Sequence, residues 1–350
     1  MSRPPNPVQE APVLDPLIPT PLYKDPSKVL LGIAFVFLSA IGLATQNVVS
    51  RLFFVSGSLF GHVTLGGWLP SQLSNIVMLL ALRMAGMALL LISASLGLYP
   101  NTFATIRQLT KTPKILGFVG GSGLCLFVAL VLLYFSLSQV AAGIAIAAFF
   151  IYPAITVLLA WRFLRQRPRP YQLGLMLIIS FGVVLTTLGA ETVSGPTVDP
   201  TLGILSGLFA GLSFGLYGIF AEIAFQSQPS CRPLHPVPFS LITFIIVSGL
   251  ATLSLFFMPP VEVPPMAWQP VLSMTLFSAL ITVIAYVLSN FGILYIGASL
   301  TALISASAPA LTALFAWLAL REALHIQQIL GVGLVTLGVA TLGLKSSQKQ

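Results

Sequence analysis

Long, uninterrupted apolar stretches recur along the chain and are separated by short polar segments. Each holds about 20 residues, enough for a helix to cross the roughly 30 Å hydrocarbon core of a bilayer. The stretches are rich in Leu, Ala and Gly and do not alternate apolar with polar residues, as strands of a membrane barrel would. The pattern predicts an all-α integral membrane protein with ten transmembrane helices, at 29–51, 73–98, 115–137, 140–163, 171–190, 202–225, 237–258, 270–294, 298–320 and 326–344.

The composition excludes a soluble globule, because 57% of the residues are hydrophobic and only 7% are charged. The formal net charge of +8 does not indicate nucleic acid, since no basic cluster is interleaved with stacking aromatic residues. Cys125 and Cys231 show neither a disulfide framework nor metal-ligand spacing. Residues 1–28 contain eight prolines and no apolar core, so we expect a disordered tail rather than a targeting peptide.

The distribution of basic residues predicts the orientation in the membrane. Assigning the tail to the cytoplasm places thirteen Lys and Arg residues inside and two outside, with Arg83 left within a helix. This strong positive-inside bias indicates a multi-pass protein of the cell (plasma or inner) membrane with both termini cytoplasmic. Loop 53–72 is then external.

The chain contains an internal duplication. Residues of the fourth predicted helix recur in the ninth 156 positions later, and the first and sixth helices align at an offset of 171. We therefore predict two five-helix repeats, 29–190 and 202–344, and the odd number of spans inverts the second relative to the first. Two inverted halves can exchange conformations around a shared site, which predicts a transporter rather than a static bundle. The matching pairs are Pro153/Pro309, Ala154/Ala310, Thr156/Thr312, Leu158/Leu314, Ala160/Ala316, Trp161/Trp317, Leu164/Leu320 and Arg165/Arg321.

Several motifs resemble one family of membrane transporters. The second half carries a mid-helix Pro, a Leu-Gly-Glu-like segment and a final helix with Gln and spaced glycines, as Pro309, Leu320, Arg321, Glu322, Gln328, Gly331 and Gly338. The sixth helix carries an aromatic-small-x-Tyr pattern from Phe214 to Tyr217, and Gln166 stands at the acidic position of the first half. Residues 29–344 are thus similar to the ten-helix EamA-type permeases of the drug/metabolite transporter superfamily. The resemblance implies a secondary transporter, often an exporter of amino acids or other small metabolites.

Prolines and glycines at membrane depth indicate where a substrate could bind. Pro153 and Pro309 should bend or break equivalent helices half-way, with Tyr152, Ser305 and Ser307 beside them. Interrupted helices in corresponding positions of two repeats are the best sequence indication of a midplane site. Small residues on the sixth helix predict a close helix contact that is either static or slides between states, at Gly203, Gly207, Gly211 and Gly215.

Arg83 lies about 12 Å into the second helix if that span starts near Ser74. It could recognise an anion or act as a gate, snorkel outward, or form a structural pair. Other polar groups at depth either contact substrate or bond between helices: Gln46, Asn47, Tyr134, Tyr217, Tyr286 and Asn290. Glu222 and Glu322 are the candidates for coupling to a proton, with solvated helix-end carboxylates as the simpler interpretation.

One deep cation and no acid clearly at the midplane favour a neutral or zwitterionic substrate over a dianion or a lipophilic cation. The rival hypotheses are a non-transporting membrane sensor or scaffold, a channel-like protein, and an organic-phosphate exchanger of the same superfamily. An enzyme is disfavoured because His62, His235 and His325 are scattered and no nucleotide or zinc motif occurs. We expect no cofactor and no metal; the partners are a small-molecule substrate, the lipid bilayer and a coupling proton. The sequence assigns no oligomeric state.

Overall fold

A computed structural model describes residues 26–54, 57–59, 63–70, 72–139, 148–168, 170–187, 200–226, 234–320 and shorter stretches of 326–341. Five of the helices begin at a proline, whose fixed φ suits the first helical turn. The helices are α1 Pro26–Phe54, α2 Leu73–Leu98, α3 Thr102–Leu109, α4 Pro113–Gln139, α5 Tyr152–Leu164, α6 Pro170–Thr187, α7 Pro200–Gln226, α8 Pro236–Leu255, α9 Trp268–Ser305 and α10 Ala308–Leu320.

Six of the described helices are long and apolar enough to cross a membrane: α1, α2, α4, α7, α8 and α9. Helices α5 and α6 are apolar but carry shorter spans. The all-α, membrane-spanning character predicted from the sequence is therefore confirmed, whereas the count of ten spans stays a prediction.

Three boundaries differ from the sequence prediction. Helix α1 begins at Pro26, so the last three residues of the predicted 1–28 tail are helical. The eighth predicted span and the first part of the ninth are joined in α9, where the only non-helical residue is Gly297, with φ 80° and ψ 163°, and the rest of the ninth forms α10. Short amphipathic helix α3 was not predicted, because its eight residues form no apolar run.

Loop 53–72 is also more ordered than a simple loop. Strands β1 Gly57–Leu59 and β2 Val63–Leu65 pair antiparallel within it. Below the hairpin, Asn75 at the start of α2 exchanges hydrogen bonds with the backbone of Glu262, and Gln72 donates to the Glu262 carboxylate. These bonds define a hairpin end of the bundle, where α1 and α8 finish and α2 and α9 begin.

Packing between helices distant in sequence builds the core. The most extensive contacts join α1 to α9, α4 to α7, and α2 to α8. Large apolar side chains such as Met84, Phe225 and Phe244 are wholly buried between them. Many other apolar side chains are exposed, as a lipid-facing surface requires.

Small residues permit these contacts, as the glycine pattern predicted. A Cβ added at Gly211 of α7 would stand 2.6 Å from the carbonyl oxygen of Phe149, just before α5. At Gly215 it would stand 3.2 Å from the side chains of Ile155 and Thr156. The backbone of α7 therefore lies directly against the start of α5.

Gly211→Leu should lower both the stability of the bundle and any activity that depends on this contact. A backbone carbonyl cannot move aside as a flexible side chain would, so we expect a loss of about 1–3 kcal/mol or more. Thermal unfolding of the purified variant measures it. Gly249→Leu is the matched control, because a Cβ at exposed Gly249 of α8 meets nothing within 4 Å. Equal unfolding temperatures for both variants would contradict the close-packing interpretation.

Candidate functional site

Two helix breaks occupy equivalent positions in the two halves of the chain. The predicted helix 140–163 is interrupted at residues 150–151, and α5 begins at Tyr152. Likewise, residues 306–307 form a turn between α9 and α10. Pro153 and Pro309 are each the second residue of the helix that follows, where a missing N–H costs no helical hydrogen bond. The sequence predicts that each proline bends or breaks a helix half-way. In the structure both prolines instead lie in the first turn of a new helix, where they remove no helical hydrogen bond.

The two breaks meet inside the protein. Tyr152 and Ala302, one turn before Ser305, belong to one buried cluster, and both Tyr152 and Ser305 are buried. Ser305 is separated from the Gly297 turn by a helical segment of about 12 Å, near half the thickness of the hydrocarbon core. Ser307 donates to the carbonyl of Ile304, which covers part of the exposed helix end.

Aromatic rings line the same region. The ring centroid of Tyr152 lies 4.9 Å from that of Phe214 on α7 and 5.3 Å from that of Phe149. Phe214 in turn lies 5.5 Å from Tyr217. These edge-to-face and tilted contacts give the breaks a rigid, largely apolar wall.

Arg83 is buried, with 4% of its surface exposed, and it lies about 15 Å along α2. Its Nη2 donates to the hydroxyl of Tyr134 at 2.7 Å, and its Nη1 donates to Ser50 Oγ at 3.4 Å. Gln46 Nε2 also donates to Ser50 Oγ, at 2.6 Å. We call these four residues the Arg83 cluster. Outward snorkelling, one of the sequence hypotheses, is inconsistent with this burial.

Tyr286 of α9 is the residue around which the predicted site residues converge. It lies within electrostatic range of Arg83 and of the hydroxyls of Tyr134, Tyr152 and Tyr217. Its ring packs edge-on against Phe244 of α8 at 5.9 Å. Tyr286 therefore lies in the same region as the Arg83 cluster and Tyr152 of the first helix break.

Tyr217 and Asn290 belong to a hydrogen-bonded chain between helices. The Tyr217 hydroxyl donates to Asn290 Oδ1 at 2.9 Å, and Asn290 Nδ2 donates to Ser240 Oγ at 2.8 Å. The chain links α7, α9 and α8, and Asn290 is fully buried. For these two residues the described contacts match the interhelical alternative left open by the sequence.

Glu222 is 1% exposed, so the interpretation as a solvated helix-end carboxylate is wrong. Its Oε1 accepts from Gln166 Nε2 at 2.6 Å and from Gln226 Nε2 at 3.1 Å. Its Oε2 accepts from the backbone N–H of Ala298 at 2.7 Å, directly after the Gly297 turn. The carboxylate therefore ties the segment just after α5 to α7 and to α9 at the end of the bundle opposite the hairpin.

His235 precedes α8 at this same end. Its Nδ1 accepts from the N–H of Val237, and its ring stacks on Tyr99 with centroids 4.1 Å apart. Burial lowers the pKa of His235 from its usual value near 6.5. The ring thus stays neutral and fastens the end of α2 to the start of α8.

The structure brings most of the predicted residues together but not all of them. Asn47 is exposed and donates to Thr312 of α10, about 100° around α1 from Gln46. Glu322 and Gln328 lie outside the described residues, and so do Arg321 and His325.

Sequence reasoning missed Ser50 and Ser240; Ser50 could have been found from its i, i+4 spacing to Gln46. Within the described residues, no group of three His, Cys, Asp or Glu could hold a metal ion.

Comparisons with known proteins agree with this architecture. The EamA-like transporter family matches residues 201–344. The uncharacterized transporter sll1319 of Synechocystis sp. is 37% identical over 318 residues, covering 89% of this chain and 93% of that protein. A crystal structure of a protein with 17% identity superimposes with a TM-score of 0.66, covering 90% of this chain and 97% of that one. At that identity, the superposition shows a shared fold alone.

Proposed function

Because this chain belongs to the EamA-like transporter family, within the drug/metabolite transporter superfamily, we propose that it is a secondary active carrier that works by alternating access. Family membership makes it a multi-pass membrane transporter rather than an enzyme. We propose that its substrates are small polar metabolites, such as amino acids and related neutral or zwitterionic solutes, and that it exports them.

The packing supports two inverted five-helix repeats, 29–190 and 202–344. The recurrence in sequence relates α1 to α7, α4 to the first part of α9, and α5 to α10. The contacts between helices obey the same relation: α1 packs on α9, and their equivalents α7 and α4 pack on each other. Similarly, α5 packs on α7 as α10 packs on α1. A pseudo-twofold axis in the membrane plane would relate these pairs.

The observation that carries the proposal is the packing of the two helix breaks against each other, with Tyr152 and Ala302 in one buried cluster. One break comes from each repeat, and Tyr152 lies within electrostatic range of Tyr286, as Arg83 does. A carrier needs its site where the two repeats meet, since rearrangement of one against the other then exposes the site to each side in turn. We assign the substrate site to this region, which includes Tyr134, Ser307 and both prolines, and we propose Tyr217 and Asn290 as part of the fixed wall beside it.

The charges of the site favour a substrate with little net charge. Arg83 is the one buried cation among the described residues, and Glu222 is occupied by three hydrogen-bond donors. Moving a dianion out of water beside a single guanidinium would leave one negative charge unpaired. The uncompensated desolvation cost is that of one buried ion, about several kcal/mol. A zwitterion satisfies the guanidinium with its carboxylate and carries no net charge.

Small amino acids should drive counterflow in proteoliposomes, whereas sugar phosphates should not. Vesicles preloaded with each unlabelled solute measure this as transient accumulation of its labelled form, with protein-free vesicles as the control. Flux that never saturates with solute would instead indicate a channel. Exchange driven only by phosphorylated solutes would favour the organic-phosphate alternative, and no flux with any solute would favour a sensor or scaffold.

We propose that both termini are cytoplasmic in the cell membrane, which places Cys231 inside and the hairpin outside. In intact cells, an impermeant thiol reagent should miss Cys231 and label a cysteine introduced by Gly57→Cys. Cys125, half-buried on α4, is replaced by Ala in the protein that keeps Cys231 and in the Gly57→Cys variant, so that it adds no background labelling. Labelling of Cys231 without labelling at position 57 would reverse the proposed orientation.

We propose that Glu222 carries the coupling proton, and Glu322 is the other acidic candidate. A carboxylate that only accepts hydrogen bonds must lose one acceptor position when protonated, which would loosen its hold on Gln166, Gln226 or Ala298. The described hydrogen-bond partners of Glu222 are all neutral, so a proton would neutralise this buried carboxylate. Protonation would thus couple to movement of α5 against α7.

Glu222→Gln should abolish uphill transport driven by a pH gradient while counterflow continues. A neutral amide keeps one acceptor oxygen and removes the titration, and counterflow needs no net proton movement. Glu262→Gln is the matched control, since Glu262 bonds to Gln72 at the hairpin end. Full pH-driven accumulation in Glu222→Gln would exclude this residue as the coupling site.

A further inference from the structure

Arg83 is a buried cation whose described partners are all neutral. Two of its three guanidinium nitrogens donate to hydroxyl groups, of Ser50 and Tyr134. The third, Nε, is buried without any hydrogen-bond partner. A buried charge normally has a counter-charge, and a buried N–H without an acceptor is costly.

The acidic groups that the structure describes do not supply that counter-charge. They are Glu222 and Glu262. Glu222 accepts from Gln166, Gln226 and Ala298 at the opposite end of the bundle, and Glu262 accepts from Gln72 outside it. Among the described residues, the neighbours of Arg83 therefore provide hydroxyl groups in place of a carboxylate.

The hydroxyl groups around Arg83 are arranged as further donors. Ser50 Oγ accepts two hydrogen bonds, from Gln46 and from Arg83, so its lone pairs are used and its own proton is free to donate. The Tyr134 oxygen accepts from Arg83 Nη2, and its proton has no acceptor in the described hydrogen bonds. The cluster therefore offers an N–H and two O–H groups beside one positive charge, which is the donor set of an anion site.

We propose that the Arg83 cluster binds one substrate carboxylate, at the Nε edge of the guanidinium and with the Ser50 and Tyr134 hydroxyls donating to it. This deepens the proposed function and rests on it, because it assigns the substrate class as monocarboxylates. The planar edge formed by Nε and a neighbouring Nη matches the two oxygens of a carboxylate. A dianionic phosphate would need a second cation, which the described cluster lacks.

The test compares each carboxylate with its carboxamide, which keeps the size and removes the negative charge of the carboxyl group. The probes are L-alanine with L-alaninamide and L-lactate with lactamide, and glycerol 3-phosphate serves as the dianion. Two readouts are used for every probe: the ligand-dependent rise in unfolding temperature of the purified protein, and counterflow in proteoliposomes. The variants are Arg83→Gln, which removes the charge, and Arg83→Lys, which keeps it without the planar edge. Arg107→Gln, at an exposed position of α3, is the matched control for loss of one Arg.

We expect the carboxylates to bind and exchange in the wild type and in Arg107→Gln, and the phosphate to do neither. Loss of a charge-assisted contact should weaken carboxylate binding in Arg83→Gln by about tenfold to a hundredfold, with the carboxamides little changed. Arg83→Lys should fall between the two. Because Arg83→Lys retains the buried charge, it keeps the test valid if Arg83→Gln fails to fold.

Carboxylate binding and exchange that are unchanged in both Arg83 variants would overturn the subsite and leave the carrier intact. Phosphate-dependent exchange that survives Arg83→Gln would overturn it as well. Carboxylate binding that depends on Arg83, without flux of any solute, would support the subsite and overturn the carrier. Absence of both binding and flux for every carboxylate would overturn both.

Discussion

Backbone polar groups at membrane depth must find their partners inside the protein, because hydrocarbon offers none. An unbroken helix meets this condition by itself, and the described spans mostly do. The exceptions are the breaks before α5 and α10 and the turn at Gly297. The backbone itself bridges the first break, where the N–H of Ile151 donates to the carbonyl of Ala148. Side chains cover the other two: Ser307 donates to the carbonyl of Ile304, and the Glu222 carboxylate accepts from Ala298. These contacts allow non-helical backbone to exist where a carrier needs it.

The same condition explains why polar side chains are concentrated along one path through the bundle. The chain from Tyr217 through Asn290 to Ser240 satisfies every amide and hydroxyl it uses, and it holds three helices in register. The Arg83 cluster instead contains more donors than acceptors. Satisfied networks stabilise a structure, whereas an excess of donors beside a buried charge is what a ligand can complete. The contrast separates scaffold from site among residues that look alike in the sequence.

Much of the architecture follows from the sequence because lipid imposes a simple rule on it. Apolar runs predicted the six described helices that are long enough to cross a membrane, and a recurring Pro indicated both helix breaks at equivalent positions. Gly297 shows a limit: Tyr295 and Ile296 continue the apolar pattern into it, so the turn carries almost no polar signal. Asn47 shows another, since it lies next to Gln46 in sequence but on a different side of α1. The Gln166–Glu222 bond could not be inferred, because only tertiary packing brings together groups 56 residues apart.

The packing of α1 on α9, α2 on α8 and α4 on α7 also has a consequence for biosynthesis. Each of the first three long helices must wait in the membrane until a partner made much later has been inserted, at Trp268, Pro236 and Pro200 respectively. During that interval Gln46 and Ser50 can bond to each other within α1, and Arg83 can already reach Ser50 of α1 and Tyr134 of α4. The helices that enclose α2, which are α8 and α9, are made later. The newly inserted first half is therefore the stage at which quality-control proteases and insertion chaperones would meet an intramembrane cation that has its hydroxyl partners but not yet its surrounding helices.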